Sequence, residues 1–200
     1  MLISYFGYGS LVNRATLASD VVALPGRLEG WRREWRVVGR PAEADGAGRG
    51  ACALTVRPEP GCAIRGVLLS EATAGLAALD KREARYDRID GISHQFRPDD
   101  GTAGVPEAVF LYRAKAEHYR WGDEDHPILQ SYLDCVLAGF HEIWGEAGVD
   151  HFLETTDGWH APILADRHAP IYARAVTLEP DLTGLFDERL AALDLRWVDP

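Results

Sequence analysis

Short apolar runs broken by glycine and proline fill most of the first 114 residues, and they follow one another instead of alternating with helices. Leu2 to Tyr8, Val21 to Arg40, Ala51 to Arg57, Ala63 to Ser70 and Val105 to Ala114 all read as strand material, with at least two strands inside Val21 to Arg40. Glu71 to Arg85 is the one helical pattern among them, and Pro58-Glu-Pro-Gly and Ala44 to Gly50 read as connections. This order disfavours a doubly wound fold. It predicts an α+β chain: a mixed, largely antiparallel sheet curled toward a barrel, with flanking helices.

Pro127 to Trp144 carries the longest helical stripe, through Leu129, Leu133, Val136, Leu137 and Phe140. After it come a short helical stretch, a Pro-punctuated irregular segment over 157–170, a strand over Ile171 to Thr177 and a closing helix around Leu182 to Leu193. At 200 residues and 46% hydrophobic, the chain is long and apolar enough for one substantial core.

Charge and cysteines narrow the function. A formal charge of −10 repels phosphate backbones and anionic lipid, so nucleic acid and membrane surfaces are not expected partners. No apolar run approaches the length of a spanning helix, and residues 1–11 lack the pattern of a signal peptide, so the chain is expected to be cytoplasmic. Cys52, Cys62 and Cys135 show no paired spacing, and the seven histidines form no tight ligand pair; neither a disulfide framework nor a metal site is expected. The Gly46-Ala-Gly48-Arg-Gly50 run lacks the Lys-Ser/Thr of a phosphate loop. Lysine occurs only at 81 and 115 and asparagine only at 13, a bias that suggests a bacterial, GC-rich source.

Two patterns can carry chemistry. In Tyr5-Phe-Gly-Tyr-Gly-Ser-Leu11 a strand turns through glycines into a helix start capped near Asn13, which frees backbone N–H groups to bind an anion or oxyanion. Gly7 and Gly9 can also simply relieve crowding, and Ser10 lacks the Gly-x-Ser-x-Gly frame of a nucleophile elbow. The second pattern is the charge cluster Asp80 to Arg88. Helical spacing puts Glu83 on the face of Leu79 and Leu76, with Lys81, Arg82 and Arg85 pointing elsewhere. Desolvation there raises a carboxyl pKa toward the range of a general acid/base. The plainer alternative is a structural ion pair, for example with Arg88.

Together these patterns resemble the γ-glutamylcyclotransferase superfamily, and the opening loop resembles its glutathione-specific ChaC-type branch. The marks, in order, are the loop after the first strand, Gly26-Arg-Leu with Gly30-Trp-Arg-Arg33, Arg65-Gly-Val-Leu68, a helix end Asp80-x-x-Glu83-x-x-Tyr86-x-Arg88, and Ser131-Tyr-Leu133 leading to Gly139. Ala84-Arg85 stands where the family often has a glycine, and Val12-Asn-Arg14 replaces a common Trp-Pro.

The resemblance implies a γ-glutamylcyclotransferase-like domain over 1–140 and an extension over 141–200 packed on it. It implies that Tyr8, Gly9, Ser10 and Leu11 bind a γ-glutamyl compound, that Glu83 is the acid/base, and that Tyr112 is a pocket residue. The implied reaction is a lyase-type cyclisation to 5-oxoproline with release of an amine or amino acid, as in glutathione metabolism, with no cofactor, metal or nucleotide. Two alternatives stand beside it. The fold can instead serve as a non-catalytic binding module, and the stretch around Trp159 to Pro170 can cover the site and select the leaving group or merely pack. Neither the leaving group nor the oligomeric state is legible.

Overall fold

Alternation of apolar and polar residues produces two strands far longer than their punctuation suggests. The computed structural model describes residues 2–39 and 49–200. In it β1 (Leu2–Gly7) leads through a turn to β2 (Val22–Gly39), and β3 (Ala51–Ala72) runs back antiparallel along nearly all of β2. Each absorbs breakers the sequence reads as boundaries. Gly30, at φ 82°, sits in a register shift between Glu29 and Trp31, opposite Pro58 to Ala63, so the prolines and Gly61 bulge out and the strand continues past them. Val21 to Arg40 thus holds one strand instead of two, and Ala51 to Ser70 likewise. The loop and glycine run read over 44–50 lie, up to residue 48, outside the described residues.

α1 is shorter than its pattern. Glu71 and Ala72 end β3, a single 3-10 turn follows at Thr73–Gly75, and the helix spans only Leu76–Arg82. Tyr86 and Arg88 therefore belong not to the helix end but to β4 (Tyr86–Asp90), which pairs antiparallel with β6 (Phe110–Ala114) after the short β5 (Phe96–Pro98). β1 joins β3 on one side and, in parallel, β6 on the other. The sheet is mixed and largely antiparallel, as expected, and it curls without strictly closing: β4 has β6 as its one strand partner among the described residues. Thr55 on β3 takes the Ala114 N–H at 2.9 Å and holds the curl together near its gap.

After β7 (Ile128–Leu129), α2 (Gln130–Trp144) buries Leu133, Val136, Leu137 and Phe140. No residue of its own caps its first turn. Asp166, fully buried, accepts from the Ser131 N–H at 2.8 Å and the Ser131 hydroxyl at 2.5 Å, so the helix is capped from 35 positions away. The same carboxylate accepts the Ile171 N–H at 2.9 Å, and the Ser131 hydroxyl takes the Tyr172 N–H at 3.3 Å. These bonds divert the donors a ladder needs, and Ile171 to Thr177 is irregular instead of a strand.

The remaining elements lie against the same core. They are α3 (Glu146–Glu154), β8 (Thr156–Asp157), β9 (Ile163–Leu164), α4 (Pro180–Ala191) and β10 (Trp197–Val198). β8 pairs with β2 and β9 with β7, while Phe152, Ile163, Phe186 and Leu190 join the buried cluster. No helix among the described residues is long and apolar enough to cross a membrane.

Candidate active site

The residues singled out from the sequence converge. Tyr8, Gly9, Ser10, Leu11, Glu83 and Tyr112 line one narrow recess of about 40 Å³, with Phe6, Leu54, Tyr86 and Tyr132 completing its wall. It opens into a cleft of about 610 Å³ that shares Ser10, Glu83, Tyr86 and Tyr132 with it. Both volumes meet at Glu83.

The loop follows from its neighbours. A 3-10 turn over Ser10–Val12 bonds Val12 N–H to the Gly9 carbonyl at 2.9 Å, which leaves the Ser10 and Leu11 N–H groups without a partner inside the turn. Asn13 caps the next 3-10 turn through the Ala15 N–H and ties the loop to α2 by donating to the Cys135 carbonyl at 2.8 Å. α2 approaches so closely that a Cβ on Gly139 would lie 2.6 Å from the backbone of Asn13. Glycine is required there for contact, not for flexibility.

Behind the loop stands Arg33, wholly buried. Its Nε donates to the Tyr8 carbonyl at 2.8 Å, its Nη1 to the Thr155 hydroxyl at 2.7 Å and its Nη2 to the Arg65 carbonyl. No carboxylate pairs with it among the described residues; instead its guanidinium lies 4.9 Å from the Phe140 ring centre and 5.1 Å from that of Phe152. Burial pulls its pKa down to about 9, so it remains charged at neutral pH.

Glu83 follows directly after α1, at φ −97° and ψ 29°, with its N–H still bonded to the Leu79 carbonyl at 2.9 Å. Its side chain is 16% exposed. Burial raises its pKa, and the charges of Arg82 and Arg174 pull it partly back. The ion pair weighed with Arg88 is not formed: Arg88 pairs with Asp80, and the cation beside Glu83 is Arg82, Nε to Oε1 3.3 Å. Nor do the basic residues of this cluster point away. Because the helix ends at Arg82 and the chain turns, Lys81, Arg82 and Arg85 all line the cleft that Glu83 faces.

Tyrosines fix the walls. The Tyr8 hydroxyl donates to the Tyr112 carbonyl at 2.7 Å, Tyr112 to Asp80 Oδ1 at 2.6 Å, and Tyr86 to the Leu54 carbonyl at 2.8 Å. Burial pushes the Tyr8 and Tyr112 hydroxyls well above the usual phenol range, so they stay protonated donors. Tyr86, Tyr132, Arg33, Tyr172 and Arg174 were not marked as site residues by the sequence. Tyr86 and Tyr132 fall inside motifs that carry the resemblance, but nothing in an Arg-Arg-Glu run signals that Arg33 is buried.

No protein-family model matches the sequence, and no curated protein sequence matches it. Solved structures do. A structure titled gamma-glutamyl cyclotransferase aligns with a TM-score of 0.57 at 14% identity, over 94% of this chain and 99% of that one. An uncharacterized protein from Homo sapiens aligns at 0.51 and 14%, over 93% and 98%. YkqA from Bacillus subtilis aligns at 0.51 and 18%, over 78% of this chain and 56% of its own. The chain has the γ-glutamyl cyclotransferase-like fold.

Proposed function

We propose that this protein is a cyclotransferase that converts a γ-glutamyl compound to 5-oxoproline and releases an amine or amino acid. The observation that carries this reading is Glu83: a desolvated carboxyl at the junction of recess and cleft, lining it together with a turn whose Ser10 and Leu11 N–H groups take no partner within the turn. The name of one structural neighbour, aligned over 94% of this chain, agrees with it.

In this reading the γ-glutamyl group fills the junction, because the recess alone is too narrow to hold it. Glu83 takes a proton from the α-ammonium group, and the freed amine attacks the γ-carbonyl carbon. A ring C–N bond forms as the original γ-amide C–N bond breaks; Glu83 gives the proton it took to the departing nitrogen, and the second proton that the ring nitrogen sheds on becoming an amide is relayed by the same carboxylate to the released amine, which leaves as an ammonium ion. No water is consumed. The Ser10 and Leu11 N–H groups stabilise the oxyanion or hold the α-carboxylate, and Tyr112 braces the wall.

The test is 5-oxoproline release from glutathione, γ-glutamyl amino acids and γ-glutamyl amines by the native protein and by Glu83→Gln. Release that falls by about 10²-fold or more in the variant supports the reading. Binding of these compounds without turnover would instead assign the chain to a non-catalytic module on the same fold.

A further inference from the structure

The cleft outside the recess has a charge opposite to that of the protein. On a chain of net charge −10, its lining includes Lys81, Arg82, Arg85 and Arg174, and the only acid among the described residues that line it is Glu83 itself. The inner recess has no basic residue in its wall among the described residues. Positive charge is therefore placed in the cleft outside the recess, where low-dielectric walls concentrate its field.

These four cations are not equivalent. Arg82 lies against Glu83 and reaches toward the Thr16 carbonyl at 3.5 Å. Lys81 and Arg174 make no ion pair among the described residues. Arg174 is exposed, yet its backbone is not loose: Asp166 and Ser131 bind the N–H groups of Ile171 and Tyr172, and the Tyr172 ring lies 5.0 Å from that of Tyr132 in the cleft wall. A cation that makes no ion pair among the described residues, held beside the Tyr172 hydroxyl and close enough to Glu83 to lower its pKa, on a segment fixed beside a cavity, is a docking point for an anion.

We propose that the leaving group carries a carboxylate, as an α-amino acid or short peptide does, and that Arg174 binds it. This rests on the reading of the junction of recess and cleft as the γ-glutamyl site. The compound then spans the junction, its reacting amide at Glu83 and its distal carboxylate at Arg174. A cationic amine leaving group is repelled by the same wall, and a neutral one gains nothing from it.

The experiment compares γ-glutamyl-alanine with γ-glutamyl-ethylamide, which differ only in that carboxylate, with glutathione as a third arm. The native protein is expected to show a kcat/KM for the alanine compound about tenfold or more above that for the ethylamide. Arg174→Ala should bring the ratio close to one through loss on the alanine compound, and Arg174→Lys should keep part of it. A glutathione rate that exceeds the alanine rate and depends on Arg174 identifies the carboxylate as that of a peptide. Equal native rates on the matched pair overturn the proposal while leaving the cyclotransferase reading intact. A ratio that Arg174→Ala does not change overturns the role of Arg174, and no release from any of the three overturns the cyclotransferase reading itself.

Discussion

Replacing Arg33 with methionine tests whether the glycine turn is held from behind. The change removes a guanidinium that satisfies the Tyr8 carbonyl, the Thr155 hydroxyl and the Arg65 carbonyl. An acceptor left unsatisfied in the interior costs about 1–3 kcal/mol; that applies in full to the Tyr8 carbonyl and in part to the half-buried Thr155 hydroxyl and Arg65 carbonyl, for about 3–6 kcal/mol together. Loss of the two ring contacts adds about 1–2 kcal/mol. Against this, the variant no longer buries an unpaired charge, a penalty of several kcal/mol that shows in the pKa drawn down to about 9. The net expectation is a loss of about 2–4 kcal/mol, or about 5–15 °C in Tm for a chain of this size.

The neighbour provides the control. Arg32 is 25% exposed and pairs with a partly exposed Asp157, so Arg32→Met should cost less than about 1 kcal/mol. Urea unfolding of both variants, with 5-oxoproline release from γ-glutamyl-alanine by each, gives the comparison. The Arg33 variant should also lose turnover by about 10²-fold, since a shift of about 1 Å in a positioning group has that effect. Equal stabilities for the two variants would refute the anchoring argument.

Gly139→Ala places a Cβ 2.6 Å from the Asn13 backbone, and the resulting displacement of α2 from the turn should cost about 1–3 kcal/mol, measurable by thermal unfolding. His151 is held down to about 4 by burial first and then by the charges of Arg33, Arg65 and Arg27, and its Nε2 accepts the Arg65 N–H at 3.0 Å. The unfolded chain takes up this proton near pH 6.5 and the folded one only near 4. Stability contributed by the neutral imidazole is therefore complete above about 6.5 and lost as pH falls to about 4, and His151→Gln should flatten that slope in urea midpoints. Arg174 lowers the Glu83 pKa, so Arg174→Ala should move the acidic limb of the rate profile to higher pH.

Local signals wrote much of the site into the sequence. The glycine turn lies where its pattern puts it, the helical stripe read from Pro127 holds from Gln130 onward while Ile128 and Leu129 form β7, and Glu83 reaches the recess from just after α1 instead of from its face. What escaped depends on contacts between distant residues. Pro25, Gly30 and Pro58 to Gly61 read as strand ends, yet they lie inside β2 and β3 because each long strand pairs with the other across a shared bulge. Arg33 reads as one more surface charge until Phe140, Phe152 and Thr155 enclose it. Ile171 to Thr177 has strand composition, but Asp166 and Ser131 claim its first two N–H groups. Helical spacing gave Lys81 and Arg82 the wrong side because α1 ends within two turns and the cleft wraps around its terminus.

Asp166 separates two things that proteins often tie together. It fixes the path of the chain at Ile171 through a main-chain N–H, with the same carboxylate that starts α2, and the Ser131 hydroxyl it holds takes the Tyr172 N–H. The Tyr172 and Arg174 side chains take no part in these bonds. Substitutions at the exposed Arg174 can retune what the mouth of the cleft meets while the backbone keeps its course, so this position can diversify at little cost to the fold. Asp166 has no such latitude: a change to it disturbs a helix start and the rim of the cleft at once.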